Sequence, residues 1–191
     1  MTFIAPSAAS PHWAGVPEPD AAAPRAILSY LAAFGPATAK PFGAWISRGR
    51  IGTRSLRAWF KDLGDRLVEV ELDGEQAYVR AEDVDELAST KPSTAVRLVA
   101  GFDQWVLGPG TDDTRIIAAP RRRAVSKQSG WIAPAVLAGG VVAGTWELDG
   151  DVARITWFKE NGRIPRKSLE AEASRLSIIF GRDLRLEAVV G

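Results

Sequence analysis

The sequence predicts an α+β chain: helices and a β-hairpin first, then a β-rich part that ends in a long helix and a last strand. Three observations carry this. Apolar residues repeat at helical spacing in successive runs between Ile27 and Leu63. The pairs Asp73-Gly74, Gly139-Gly140, Asp149-Gly150 and Asn161-Gly162 punctuate strand-like apolar runs. The linker-like Lys91-Pro92-Ser93 separates the two patterns.

The elements follow in order. Residues 1–21, rich in Ala, Pro and Ser, have no period and read as a linker or arm. Asp20 is placed to cap a first helix, with Pro24 in its first turn and Ile27, Leu28, Leu31 and Phe34 on its apolar side, ended by Gly35-Pro36. Thr38 would cap a second helix with Phe42, Trp45 and Ile46 as its apolar face. Thr53 would cap a third, in which Leu56, Trp59, Phe60 and Leu63 fall at i, i+3, i+4 and i+7. Strands over 67–72 and 76–79 then flank the Asp73-Gly74-Glu75 turn. Three helices followed by a hairpin is the order of a winged helix, expected over 22–90, whose third helix can enter a DNA groove.

From residue 91 to 191 strands are expected at 95–99, 104–107, 131–137, 141–148 and 152–158. They read as an antiparallel meander curled into a small barrel-like domain. Pro165 starts a helix with Leu169, Ala173, Leu176 and Phe180 in phase, and a last strand covers 184–189.

Composition narrows the chemistry. The chain has 191 residues, no cysteine and one histidine, His12. Zinc ribbons, thiol nucleophiles, disulfide frameworks and Cys-ligated clusters are therefore excluded, and no cofactor or metal is expected. His12 lies in the arm and reads as a surface residue. Between Lys127 and Glu147 there is no charge, but Pro134 and four glycines interrupt the stretch, which reads as buried strands. With no signal-peptide pattern at the start, a cytoplasmic chain without a membrane anchor is expected.

The net charge of +1 conceals blocks. Residues 40–66 hold seven basic and two acidic side chains, residues 67–90 one and eight, and residues 91–135 seven and three. Arg48, Arg50, Arg54, Arg57 and Lys61 form the first basic cluster. The last three share one side of the third helix, where each could neutralise a phosphate. A solvated helix face is the competing reading, and Asp73 and Glu75 at the hairpin tip oppose DNA contact. Arg121, Arg122, Arg123 and Lys127 form a second cluster, read as secondary phosphate contacts or a solvated turn. Asp103, between Phe102 and Trp105, is either a functional acid or a cap on backbone N–H groups. The seven tryptophans read mostly as core, with one or two free to stack on a base.

The segments Ala32-Ala33-Phe34-Gly35-Pro36-Ala37-Thr38, Leu67-Val68-Glu69-Val70, Phe102-Asp103-Gln104-Trp105-Val106-Leu107-Gly108 and Gly144-Thr145-Trp146 occur in an order and spacing that resembles the AlkZ-like DNA glycosylases, a tandem winged-helix family. The third usually reads Phe-Asp-Pro-Tyr-Leu-Leu-Gly there, so Gln104 and Trp105 depart from the pattern. The resemblance runs from about residue 11 onward. It implies relatives about twice this long, with an N-terminal catalytic Gln-x-Gln or Gln-x-Asp motif ahead of a connector similar to Pro11-His12-Trp13-Ala14-Gly15. The glutamines here, Gln76, Gln104 and Gln128, have no Gln, Asp or His two residues on. No catalytic residue is carried over.

Three functions are therefore expected, in order. The first is non-catalytic binding of double-stranded DNA by a truncated relative that lacks the catalytic half. The second is a divergent or split glycosylase acting on alkylated bases, using Asp103 or a partner chain. The third is a protein-interaction module without a DNA role. Loss of the N-terminal half would leave an apolar face for a homodimer or partner chain to cover.

Overall fold

A computed structural model describes residues 3–191. In chain order the elements are α1 (Pro6–Ala9), α2 (Pro19–Phe34), α3 (Ala39–Ser47), α4 (Thr53–Asp62), β1 (Leu67–Leu72), β2 (Glu75–Arg80), α5 (Val84–Ser89), β3 (Val96–Val99), α6 (Gln104–Leu107), α7 (Arg122–Val125), β4 (Ala135–Ala138), β5 (Val141–Asp149), β6 (Val152–Trp157), α8 (Arg166–Phe180) and β7 (Arg185–Val190). The chain separates into two compact units. The first holds the described residues up to Lys40 together with Ile51–Val84; the second holds Pro41–Arg50 and Asp85–Gly191. The mixed α+β class is the one expected.

In the first unit, α2 buries Ala23, Ile27, Tyr30 and Leu31, and α4 buries Leu56, Trp59 and Phe60. β2 adds Ala77 and Val79, both nearly inaccessible. Phe60 and Tyr78 meet with tilted rings, their centroids 5.2 Å apart. Ala37 and Tyr78 exchange both backbone hydrogen bonds, at 2.9 and 3.0 Å, so the segment after α2 adds to the hairpin. Asp73 and Gly74 take φ of +52° and +82°, the two-residue turn whose twist matches antiparallel strands. Two capping expectations shift by a residue or two. Glu18 and Gly52, not Asp20 and Thr53, occupy the N-cap positions. Pro19 at the first helical position sets where α2 begins, and Asp20 is thereby free to accept the Trp59 indole N–H at 2.6 Å.

In the second unit, the sheet runs β3-β4-β5-β6-β7. The first three pairings are antiparallel, and β6 pairs with β7 in parallel. A parallel neighbour needs a crossover, and α8 supplies it. The sheet is open: among the described residues no closed barrel forms. Leu169 and Leu176 of α8 cover one face over Val96, Leu98, Val136, Ala143, Ile155 and Trp157. Val106, Ile117, Val125, Ile132 and Phe158 pack against the other face, on Ala135, Leu137 and Val142. With both faces occupied, the strands are apolar on both sides, which explains the charge-free stretch before Glu147. No helix among the described residues is long and apolar enough to cross a membrane.

Several local expectations are corrected. Residues 104–107 form a helical turn, because Asp103 caps it by accepting the Trp105 backbone N–H at 2.8 Å. The strand expected from Trp131 begins only at Ala135, since Pro134 offers no N–H to a ladder. Trp45 and Ile46 are exposed, and Phe42 alone of that trio is buried. Phe180 also lies exposed at the end of α8. The arm is not wholly irregular, as it contains α1 and the start of α2.

Candidate nucleic-acid interface

Helix α4 divides cleanly by side. At about 100° per residue, Arg54, Arg57 and Lys61 fall within about 60° of one another, opposite the stripe of Leu56, Trp59, Phe60 and Leu63. That stripe is buried and the three cations are exposed. The buried side anchors the helix: Trp59 packs while its indole N–H is held by Asp20 of α2. Among the described residues none of the three cations joins an ion pair, so their charges are available to a polyanion. Arg48 and Arg50 are exposed in the turn after α3, where Arg48 takes a φ of +53°. They belong to the second unit and the α4 trio to the first.

The hairpin beside α4 in sequence is acidic. Glu69, Glu71, Asp73 and Glu75 are all exposed, and Gln76 donates to Glu69. Its one cation, Arg80, is committed at short range to Asp83 and Glu82. The hairpin therefore offers no cation to a second strand of phosphates.

The second basic cluster splits. Arg121 donates two hydrogen bonds to Glu160, at 2.7 and 2.8 Å, and a third to the Gly191 carbonyl at 2.9 Å. Its guanidinium lies 4.5 Å from the centre of the Phe158 ring. The hydrogen bonds from Arg121 hold the Glu160 carboxyl down at about 2. Arg121 is thus a structural clamp. Arg122, Arg123 and Lys127 are exposed and join no ion pair among the described residues. Asp103 is engaged as the α6 cap. His12 is exposed, its backbone N–H donating to Ser10. Among the described residues no group of three or more His, Cys, Asp or Glu could hold a metal.

Two features escaped the sequence reading. Glu172 is buried to 3% exposure. Burial pushes its carboxyl up, but hydrogen bonds from Arg175 and the Leu98 N–H, with the charges of Arg175 and Arg97, outweigh that and leave it lowered. A signal existed: Glu172 lies in helical phase with Leu169, Ala173 and Leu176. The second feature is an exposed Phe102–Trp131 pair with ring centroids 5.1 Å apart and nearly perpendicular planes. With the two residues so far apart in sequence, no local pattern marks it.

The model of the family described as DNA glycosylase AlkZ-like matches residues 4–178. An interstrand DNA cross-link repair glycosylase of Streptomyces sahachiroi is 43% identical over 182 residues, covering 95% of this chain and 49% of that protein. The solved structure of the Streptomyces sahachiroi DNA glycosylase AlkZ matches with a TM-score of 0.89 at 43% identity, over 93% of this chain and 48% of that one. The chain spans about half the length of the relatives it matches.

Proposed function

This chain belongs to the DNA glycosylase AlkZ-like family, and from that premise we propose that it binds double-stranded DNA through α4 without itself excising a base. The observation that carries the reading is the side of α4 that presents Arg54, Arg57 and Lys61, exposed and in no ion pair among the described residues, opposite a buried anchor. Contacts of this kind go to phosphates and position a protein on DNA with little sequence preference. The acidic hairpin leaves the helix as the gripping element of this unit. A winged-helix reading of the unit is supported by α2, α4 and the β1–β2 hairpin, with Ala37 adding to its edge. Such a partner fits the cytoplasmic setting expected from the sequence.

The non-catalytic part of the reading rests on the absence of any Gln-x-Gln or Gln-x-Asp motif from these 191 residues and on the commitment of Asp103 to capping α6. The test is a titration of fluorescent duplex DNA at several salt concentrations, with the parent chain and with Arg54→Glu plus Arg57→Glu. Salt-dependent binding that the double variant loses supports the proposal. Absence of binding at low salt overturns it and favours a protein-interaction module.

The family membership itself favours a second reading, a split or divergent glycosylase whose chemistry a partner chain completes. Abasic-site formation on alkylated or cross-linked DNA, with this chain alone and with a candidate partner, discriminates the two. The exposed apolar side chains of Phe3, Ile4, Trp13 and Val16 support a second copy or partner over the N-terminal segment. A strictly monomeric mass in light scattering at high concentration counts against that part.

A further inference from the structure

We propose that Phe102 and Trp131, with Lys127 paired across from Trp131, form a stacking platform for an unpaired DNA base in the second unit, to which α4 does not belong. Four of the seven tryptophans spend their indole N–H inside the fold: Trp59 on Asp20, Trp105 on Gly140, Trp146 on Val99 and Trp157 on Gly162. Trp131 does not. It is 56% exposed, its N–H has no partner among the described residues, and its ring is met edge-on by Phe102, itself 43% exposed. Two large aromatic rings in contact at the surface form a contiguous apolar patch of the kind a flat partner can cover.

The backbone builds this pair. A Cβ on Gly101 would come within 2.8 Å of the Ile132 carbonyl oxygen, so only glycine lets the 101–102 turn lie this close to the 131–132 segment. Phe102 then takes a φ of +63°, a strained value for a bulky residue. On the other side, Ser126 and Ile132 form an antiparallel bridge, and the Lys127 N–H donates to the Trp131 carbonyl at 2.8 Å. Lys127 and Trp131 are therefore direct cross-strand neighbours, whose side chains share a face.

Charge selects the occupant. Arg122 and Arg123 on the adjoining helix α7 are exposed like Lys127, and no acidic side chain lies between Arg115 and Glu147 in the sequence. Exposed aromatic rings with Lys127 paired across from Trp131, and with Asp103 beside Phe102 already engaged as the α6 cap, match a polyanion with flat apolar faces: a DNA strand whose bases are unpaired. A purely apolar protein partner would leave these cations unanswered.

The test is a titration of a short fluorescein-labelled single strand with the full chain, its Trp131→Ala and Trp131→Phe variants and Lys127→Glu. Circular dichroism verifies that each is folded. The expected result is that Trp131→Ala weakens binding about 5- to 150-fold, the range of one lost base stack. Trp131→Phe should recover most of that loss, and Lys127→Glu should weaken binding and reduce its salt dependence. Unchanged affinity in Trp131→Ala, or a Phe variant as weak as the Ala variant, overturns the proposal. The α4 reading has its own readout in the duplex titration of Arg54→Glu plus Arg57→Glu, so the two fail separately.

Discussion

The backbone N–H of Leu98 donates to the carboxylate of Glu172 at 3.0 Å, across 74 residues of sequence. Leu98 lies on β3, an edge of the five-stranded sheet. An outward-facing N–H on an edge strand is a template for another chain, and here a helix side chain occupies it. Arg175 fixes that carboxylate with two hydrogen bonds at 2.7 and 2.8 Å, and Arg97 stands 3.8 Å away.

Replacing Glu172 should therefore destabilise the second unit. Glu172→Ala leaves the Leu98 N–H without its acceptor, a loss of about 1–3 kcal/mol. Arg97 and Arg175 are about half exposed, so their charges can turn to water and add little. Glu172→Gln keeps one acceptor oxygen and should lose less. Urea denaturation gives the stabilities, and light scattering should show more self-association for the alanine variant.

Acid should weaken the fold in a defined window. Glu160, Glu172 and Asp113 all have carboxyls lowered below their ordinary values, Glu160 to about 2. At Asp113 burial opposes the shift, and hydrogen bonds and charge from Arg115 prevail. A carboxyl lowered in the folded state contributes stability above its unfolded pKa and loses it as pH falls through the folded one. Denaturation midpoints should thus be level above the ordinary carboxylate range and decline from about 4.5 towards about 2. Glu160→Gln should flatten the lowest part of that decline; an unchanged acid limb would remove the Arg121 clamp from the explanation.

The Asp20–Trp59 hydrogen bond ties α2 to α4. Asp20→Ala should cost about 1–2 kcal/mol, less than a fully buried charge-assisted bond because Asp20 is exposed. Asp20→Asn retains an acceptor and should cost less. Tryptophan fluorescence through a denaturant titration reads both.

Gly144 on β5 sits where a Cβ would lie 2.5 Å from the Thr156 carbonyl oxygen and 3.3 Å from the Trp157 Cα. Those atoms belong to the paired strand β6, so they cannot swing aside as a flexible side chain could. Gly144→Ala should cost about 1–3 kcal/mol, measured as a lower urea midpoint with an unchanged slope.

Each α4 cation should count one phosphate. Lys61→Gln should reduce the slope of log K against log salt for duplex binding by about 0.9. An unchanged slope would place Lys61 off the DNA.

The helices and strands were legible wherever a period and a stop signal agreed. The buried stripe of α4 is all there in Leu56, Trp59, Phe60 and Leu63, and Asp73-Gly74 makes the expected turn. Reading failed where one residue's hydrogen bond overrode an apolar run. Asp103 turned 104–107 into a helix, and Pro134 delayed β4 to Ala135. The cations of α4 could be listed in advance, and so could those around Arg121. That Arg121 is spent on Glu160 while Arg122 and Arg123 join no ion pair among the described residues could not, because Glu160 is 39 residues further on.

By itself the sequence determined the mixed α+β class, the two-sided character of α4, the lack of cysteine in these 191 residues and the resemblance to AlkZ-like glycosylases. These depend on local periodicity, on composition and on short ordered motifs. Only the tertiary structure decided that the sheet stays open, that Glu172 seals its β3 edge, and that Phe102 and Trp131 meet at the surface. Those outcomes turn on which distant groups satisfy one another once both faces of the sheet are filled, and hydrogen bonds or ring contacts spanning tens of residues leave no periodic trace along the chain.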